Sequence, residues 1–176
     1  MKRNTRRLIA ALIASLITLV VVYGKPGADT QVPGEIVVSE ALHPVVAVVD
    51  GDTIRVERHG VVEPVRFIGI DTPEIPLPDK VGECFGTEAK TRAHELLSGT
   101  QVRLEYDPSQ GERDTYGRLL AYPFLEDGTN VGELLVREGF AREYTFAAPY
   151  AYQEVYRAAA RDAKRETRGM WGACKR

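Results

Sequence analysis

Apolar and polar positions alternate in the segment that follows residue 44, and the alternation predicts three β-strands. An apolar run from Val45 to Val49 stops at Asp50-Gly51-Asp52, which has the composition of a turn. Residues Thr53 to Arg58 alternate, as expected for a strand with one solvated face. Extended character resumes from Val61 to Ile70, where Pro64 indicates an edge position or a bulge. The polar residues between these runs therefore lie at strand ends.

The rest of the chain switches between helical and extended periodicity. The predicted elements are a helix from Thr87 to Ser98, strands from Val102 to Tyr106 and from Leu119 to Phe124, a helix from Val131 to Glu138 capped by Asn130, and a helix from Pro149 to near Gly169. Three strands, a helix, two strands and two helices is the order of an OB-type barrel. We therefore predict an α+β fold, mainly β, in which a five-stranded OB-fold barrel carries three helices.

The N-terminus has the layout of an export signal. Four basic residues precede an apolar run from Leu8 to Tyr23. The run is intermediate in length between a signal core and a membrane span, so a cleaved signal peptide and an uncleaved anchor over residues 8–23 stay open. Either places the following domain outside the cytoplasm, because the basic residues favour the inner side. We expect a leader over 1–24, a linker over 25–42 and one domain over 43–174.

The charge balance argues against binding nucleic acid through the overall field of the protein. The chain has 23 Lys+Arg and 25 Asp+Glu, a net charge of −2, which becomes about −6 without the four basic residues of the leader. Proteins that hold nucleic acid by bulk electrostatics are usually basic. An enzyme that grips one or two phosphates locally is not excluded, because clustered arginines and a bound cation reverse the sign of a cleft.

The chain contains two cysteines, Cys84 and Cys174. An even number in an exported protein suggests a disulfide, which would tie the loop before the first helix to the end of the chain. Closing so long a loop would remove on the order of 4 kcal/mol of denatured-state entropy in the chain-entropy model. Two free thiols are the alternative, because the sequence does not fix the distance between the Cα atoms.

Three short motifs carry side chains suited to metal-assisted phosphodiester hydrolysis. Asp52 and Asp71 offer oxygen ligands for a hard cation, and Arg66 and Arg118 offer paired donors for a phosphate. Glu74 is a carboxylate left over to act as a base. Taken singly, each motif is more simply explained as a turn or a helix cap. Their joint presence in this order favours the functional interpretation.

The same motifs resemble those of the staphylococcal nuclease (thermonuclease) family, over about Val45 to Trp171. The resemblance is carried by Asp50-Gly51-Asp52-Thr53, Arg66 through Glu74, Gly86-Thr87-Glu88-Ala89, Asp114-Thr115-Tyr116-Gly117-Arg118, and Asn130 through Gly139. It implies an OB-type barrel with three helices. It also implies an exported, calcium-dependent nuclease that cleaves DNA and RNA at the 5′ P–O bond and leaves 3′-phosphates. The alternative is a catalytically silent OB-type module that binds nucleic acid, although such a module has no physical need for the full set of carboxylates and arginines.

The resemblance implies a role for each matched residue. The implied catalytic residues are Arg66, Glu74 and Arg118, and the implied calcium ligands are Asp52, Asp71 and the backbone carbonyl of Thr72. The glutamate would be the base for the attacking water, or would position it. The two arginines would bind the scissile phosphate and stabilise the charge that grows on its oxygens. Because arginine is a poor proton donor, we favour an electrostatic role for the second arginine over general acid catalysis.

Other candidate residues follow from the same comparison. The family often has lysine just before the Tyr-Gly-Arg stretch, whereas this chain has Thr115, which leaves one contact to a terminal phosphate in question. Lys80 lies in the loop where the family has a basic segment, so it is a candidate for substrate binding. Tyr116 and Tyr144 are candidates for stacking on a base or sugar, with ordinary packing as the alternative. We expect a monomer that takes DNA or RNA as substrate and has no protein partner.

Overall fold

The computed structural model describes residues 36–76, 78–79 and 81–174, in which strands and helices follow one another along the chain. The strands are β1 (Val37–Val48), β2 (Thr53–Arg58), β3 (Val61–Phe67), β4 (Ile70–Asp71), β5 (Gln101–Tyr106), β6 (Leu119–Phe124) and β7 (Arg142–Glu143), and the helices are α1 (Gly86–Leu97), α2 (Val131–Glu138), α3 (Gln153–Arg165) and α4 (Met170–Ala173). Five strands close into a barrel in the order β1-β2-β3-β6-β5, with only β3 and β6 parallel. The barrel and its three longer helices confirm the predicted OB-type fold, to which the four-residue α4 is an addition.

The inside–outside alternation of the barrel wall matches the alternation of the sequence. On β2, Ile54 and Val56 are buried, whereas Arg55 and Glu57 point to solvent. The buried side chains of the barrel form one apolar core with those of the helices, including Leu135 of α2. Removing this apolar surface from water is the main favourable term that holds the helices to the barrel.

The ends of α2 confirm the predicted capping residues. The Asn130 side chain accepts a hydrogen bond from the Glu133 backbone N–H at 3.1 Å, which satisfies a donor that the first helical turn leaves unpaired. The hydroxyl of Tyr156, on α3, donates to the same Asn130 oxygen at 2.8 Å. Gly139 ends the helix at φ 81°, a left-handed conformation that glycine adopts without steric cost.

The last long helix is shorter at both ends than the sequence predicts. α3 begins at Gln153 instead of Pro149, after the buried Tyr150 has donated its hydroxyl to the Gly69 carbonyl at 3.1 Å. The chain is therefore held against the barrel before the helix starts. The helix ends at Arg165, and Thr167 then turns the chain with a φ of 51°.

The predicted linker over 25–42 is wrong at its C-terminal end, because β1 begins at Val37. Val38 pairs with Glu105 of β5, and Leu42 pairs with Arg103 after a shift in register. This part of β1 is largely exposed on both faces, so it lacks the alternation that identifies a strand in a sequence. Its pairing with β5 gives it extended structure, and the domain therefore starts before residue 43.

The third predicted strand, Val61 to Ile70, is two strands that belong to different sheets. β3 ends at Phe67, and β4 then pairs antiparallel with β7. Between them Gly69 has a φ of 81°, and a Cβ there would lie 2.4 Å from the ring of Tyr150. Only glycine fits this crowded left-handed position. The turn redirects the chain so that Asp71 stands on a small sheet beside the barrel.

Cys84 and Cys174 form a disulfide, as predicted, with their Cα atoms 5.9 Å apart and 90 positions apart in the chain.

Within residues 36–76, 78–79 and 81–174, none of the helices is long and apolar enough to cross a bilayer. The signal peptide or anchor predicted over 1–24 lies outside the described residues.

Candidate active site

Asp52 joins the turn after β1 to the segment after β4. It is 6% exposed, and its Oδ2 atom accepts hydrogen bonds from the Thr72 backbone N–H at 2.8 Å and from the Thr72 hydroxyl at 3.0 Å. Its other oxygen accepts from the Thr53 hydroxyl at 3.2 Å. Gly51 leaves room for this arrangement, because a Cβ there would lie 2.7 Å from the Thr72 side chain. The two predicted ligand segments are thus locked together through a buried carboxylate.

A single guanidinium contacts both predicted metal-binding carboxylates. Nη1 of Arg66 lies 3.1 Å from Oδ2 of Asp52, and Nη2 lies 3.3 Å from Oδ1 of Asp71. Nη1 also donates to the carbonyls of Phe67 at 3.1 Å and Ile70 at 3.0 Å. The turn between β3 and β4 therefore wraps around the arginine, which fixes its position between the two carboxylates.

Both of these carboxyl groups are harder to ionise than an ordinary aspartate. Burial raises the pKa of Asp52 to about 6, although Arg66 opposes the rise. Burial also raises the pKa of Asp71; Arg66 and Arg142 oppose this rise, whereas the nearby carboxylates of Glu83 and Glu74 add to it. Removal from water is therefore the main obstacle to ionising both carboxyl groups, and a bound cation would offset it.

Arg118 is oriented by Asp114, a residue of the same hairpin. Oδ2 of Asp114 accepts from the Arg118 Nε at 2.6 Å, and its Oδ1 accepts from the backbone N–H groups of Tyr116 at 2.9 Å and Arg118 at 3.0 Å. Burial alone would raise the pKa of Asp114, but the hydrogen bonds from Arg118 hold it below the usual range. Arg118 also donates to the Thr53 hydroxyl at 3.3 Å. Thr53 thus contacts both the guanidinium and Asp52.

The predicted phosphate-binding arginines and the predicted stacking tyrosines line one cleft of about 490 Å³. Its walls include Arg66, Asp71, Arg113, Asp114, Thr115, Tyr116, Arg118, Leu120, Tyr144 and Phe146. The guanidinium carbon of Arg118 is 5.5 Å from the centre of the Tyr116 ring. Guanidinium groups bind phosphate, and aromatic rings stack on bases. A cleft that presents two guanidinium groups beside aromatic rings therefore suits a nucleotide.

Two further predicted site residues, Glu74 and Lys80, are not among the residues that line the cleft as the structure describes it. Glu74 is exposed and does not line the cleft, although its charge acts on Asp71. Its backbone carbonyl accepts from the Glu83 N–H at 2.8 Å. Lys80 lies outside the described residues, so its predicted contact with substrate stays a prediction.

Sequence reasoning overlooked Asp114, Arg113 and Phe146. Asp114 belongs to a recognised motif but has no predicted role, although an aspartate two residues before Tyr-Gly is typical of a side chain that bonds to its own turn. Arg113 is its direct neighbour. Phe146 follows Tyr144 by two residues, a spacing that returns side chains to the same side of an extended segment, and the two ring centres are 6.4 Å apart.

The donor set at Asp52 and Asp71 fits a hard cation better than a soft one. Across the described ranges, no group of three or more histidine, cysteine, aspartate or glutamate side chains is arranged to hold a metal ion. Two carboxylates supply fewer oxygens than such a cation takes, so water and substrate would have to complete its shell. Calcium tolerates such a shell because it takes six to eight oxygen ligands in loose geometry.

Comparisons with known proteins agree on one family. The family described as "Staphylococcal nuclease homologue" matches residues 64–173. The thermonuclease of Staphylococcus hyicus is 35% identical over 172 residues, which cover 97% of this chain and 99% of that protein. Two Bacillus subtilis (strain 168) proteins, the SPbeta prophage-derived endonuclease YokF and the endonuclease YncB, are 40% and 37% identical over 124 residues. Each alignment covers 70% of this chain, but only 41% and 58% of the respective endonuclease.

Proposed function

The chain belongs to the staphylococcal nuclease family and is a nuclease of the hydrolase class, and on this premise we propose that it cleaves DNA and RNA in a calcium-dependent reaction. The observation that carries the proposal is the placement of Arg66. The same side chain touches both candidate metal ligands and lines the cleft with Arg118. A phosphate bound by these arginines would therefore lie beside Asp52 and Asp71.

Charge compensation explains why the two arginines belong to the reaction. A phosphodiester is anionic, and attack by water adds further negative charge to its non-bridging oxygens. Guanidinium groups make paired, charge-assisted hydrogen bonds to such oxygens, and donors that are already oriented stabilise the transition state without further reorganisation. The turn carbonyls hold Arg66, and Asp114 holds Arg118, before any substrate arrives.

We assign the attacking water to Glu74, as its base or its positioner. The family resemblance further implies cleavage at the 5′ P–O bond, which leaves a 3′-phosphate. Asp52, Asp71 and the carbonyl of Thr72 would hold the calcium ion. When bound, the ion supplies positive charge that offsets the phosphate's own charge and favours attack by an oxygen nucleophile.

The proposed site of action is outside the cytoplasm. The Cys84–Cys174 disulfide is compatible with an oxidising, extracellular location. Together with the basic and apolar leader in the sequence, it supports an enzyme that is secreted or anchored to the outer face of the membrane through residues 8–23. We propose that the enzyme acts there as a monomer.

The test is cleavage of single-stranded DNA, double-stranded DNA and RNA by the full chain, with calcium, with magnesium and with chelator. Glu74→Gln is assayed beside Glu154→Gln, a matched change at an exposed position of α3. We expect cleavage that requires calcium, falls at least about 100-fold in Glu74→Gln and is unchanged in Glu154→Gln. End-group analysis of the products should find 3′-phosphates.

Two results would contradict the proposal. Binding of nucleic acid without cleavage, weakening as salt is added, would support the catalytically silent OB-type module. Cleavage by Glu74→Gln at the parent rate would remove the glutamate from the mechanism.

A further inference from the structure

The backbone of Glu74 rests on the short segment that follows its own loop. The loop leaves at Glu74 and returns at Glu83, where the Glu83 N–H donates to the Glu74 carbonyl at 2.8 Å. Gly86 packs against the same peptide: a Cβ there would lie 2.2 Å from the Glu74 carbonyl oxygen. Gly86 in turn donates its N–H to the Glu83 carbonyl at 3.1 Å. Residues 83–86, called the support below, therefore hold the backbone of Glu74, the proposed base, in place.

Phe85, inside this support, has a backbone conformation that a phenylalanine rarely adopts. Its φ of 76° lies in the left-handed region, which is costly for a residue with a Cβ atom and persists only where the surroundings enforce it. On one side its ring packs on that of Phe140, with ring centres 5.3 Å apart. Along the chain it is bracketed by Gly86 and by the disulfide-bonded Cys84.

The disulfide links this support covalently to Cys174, 90 positions further along the chain. Cys84 is bonded to Cys174, whose N–H donates to the Met170 carbonyl at 3.0 Å at the end of α4. The Met170 N–H donates to the Gly139 carbonyl at 2.9 Å, next to Phe140. The covalent bond thus joins the support to α4, and the ring contact joins it to the segment just after α2. These two elements are themselves hydrogen-bonded to each other.

We propose that the Cys84–Cys174 disulfide, acting through Phe85 and Gly86, is a positioning device for Glu74 and sets the turnover rate as well as stability. The inference rests on the proposed function, in which Glu74 acts on the attacking water. The bond lies one residue from the Glu83 N–H and two residues from Gly86, the two groups that hold the Glu74 peptide. Cutting it frees that peptide to shift, whereas the contacts that hold Arg66 and Arg118 lie elsewhere and are retained.

The predicted signature is a loss of turnover that depends on Glu74. In the full chain with calcium and a single-stranded DNA oligonucleotide, Cys84→Ser/Cys174→Ser should lower kcat by about 10- to 100-fold, because a displacement of about 1 Å at a reacting group has that effect. KM should change by less than about twofold, since the phosphate-binding arginines keep their partners. In a Glu74→Gln background the same two changes should lower kcat by less than about twofold, because residues that act as a unit are not additive.

A second variant perturbs the support without touching the disulfide. Gly86→Ala places a methyl group against the Glu74 carbonyl, so it should lower kcat with the same dependence on Glu74. Its control is Gly132→Ala, a matched change within α2. The added Cβ would lie 2.7 Å from the Tyr156 hydroxyl, so this variant is also crowded, but far from Glu74 in the chain. Leu104→Ala, at a fully buried position of the barrel, is the control for lost stability in the disulfide variant. At a temperature where circular dichroism shows them folded, both controls should keep the parent kcat.

The outcomes separate this inference from the proposed function. Parent-like kcat in Cys84→Ser/Cys174→Ser or in Gly86→Ala, with Glu74→Gln still impaired, would overturn the positioning role and leave the proposed function intact. An equal loss of kcat in the presence and absence of Glu74 would also overturn it, because the disulfide would then act on some other group. Full activity of Glu74→Gln would overturn the proposed role of Glu74 and the inference with it.

Discussion

Replacing Asp52 by asparagine should stabilise the metal-free protein at neutral pH while it abolishes cleavage. The carboxyl is 6% exposed, and burial raises its pKa to about 6 against the opposing attraction of Arg66. In the unfolded chain the same group has a pKa of about 3.9. Between about pH 4 and pH 6 the folded protein therefore binds more protons at this position than the unfolded chain does.

The sign of the pH dependence follows from that difference. Where the folded state binds the extra proton, the free energy of unfolding falls as pH rises, and the loss is complete above the folded pKa of about 6. A difference of about two pKa units corresponds to about 3 kcal/mol. An asparagine at this position would carry no charge and would escape this loss, but its NH₂ group faces donors from Arg66 or Thr72. One mismatched donor costs about 1–2 kcal/mol, so the net gain at about pH 7 should be about 1–2 kcal/mol.

Urea unfolding of the full chain in chelator, from about pH 4 to about pH 8, measures this directly. The parent should lose stability relative to Asp52→Asn between about pH 4 and about pH 6, while the exposed control Glu154→Gln should follow the parent. Added calcium at neutral pH should stabilise the parent, as a ligand of the folded state does, and should leave Asp52→Asn unchanged. Parallel pH profiles for the parent and Asp52→Asn would refute the argument from burial.

The remaining predictions concern turnover and stability elsewhere. Arg118→Gln should lower kcat by about 10²–10³-fold and the free energy of unfolding only modestly, because Asp114 keeps its backbone N–H donors. Arg66→Gln should lower kcat and should lower the free energy of unfolding more strongly, because it strips a buried carboxylate of its counter-charge. Replacing Cys84 and Cys174 by serine should lower the free energy of unfolding by about 4–5 kcal/mol in urea titrations, the chain-entropy value for a loop that spans 90 positions. Asn130→Ala should cost about 1–2 kcal/mol by thermal unfolding, and Asn130→Asp should recover most of that, because it retains the capping oxygen.

Features that depend on neighbours in the sequence could be predicted accurately. The strand Thr53–Arg58 and the helix Val131–Glu138 have the predicted bounds, because each combines a clear period with residues that mark its ends. The cap at Asn130 and the stop at Gly139 are local interactions with the adjacent helix. Such interactions need no distant partner to form, which is why the local sequence predicts them.

Features that depend on distant partners are missed or displaced. Residues Val37 to Leu42 have no alternation of their own and become a strand through pairing with β5. The sequence pattern puts the start of α3 at Pro149, although the packing of Tyr150 against Gly69, 81 positions away, holds that stretch out of the helix. In both cases a tertiary contact outweighs the local preference.

The candidate site also combines features that the local sequence predicts with features that depend on distant residues. The sequence by itself determined the order of the five barrel strands and the three longer helices, the set of carboxylates and arginines, and the presence of two cysteines. Only the tertiary structure decided that one guanidinium contacts both Asp52 and Asp71, that Arg118 reaches Thr53 across 65 positions, and that the disulfide adjoins the segment supporting Glu74. The physical reason is that hydrogen bonds and ion pairs act over about 3 Å, and only the pairing of strands and the packing of loops and helices bring residues that are distant in the sequence within that range.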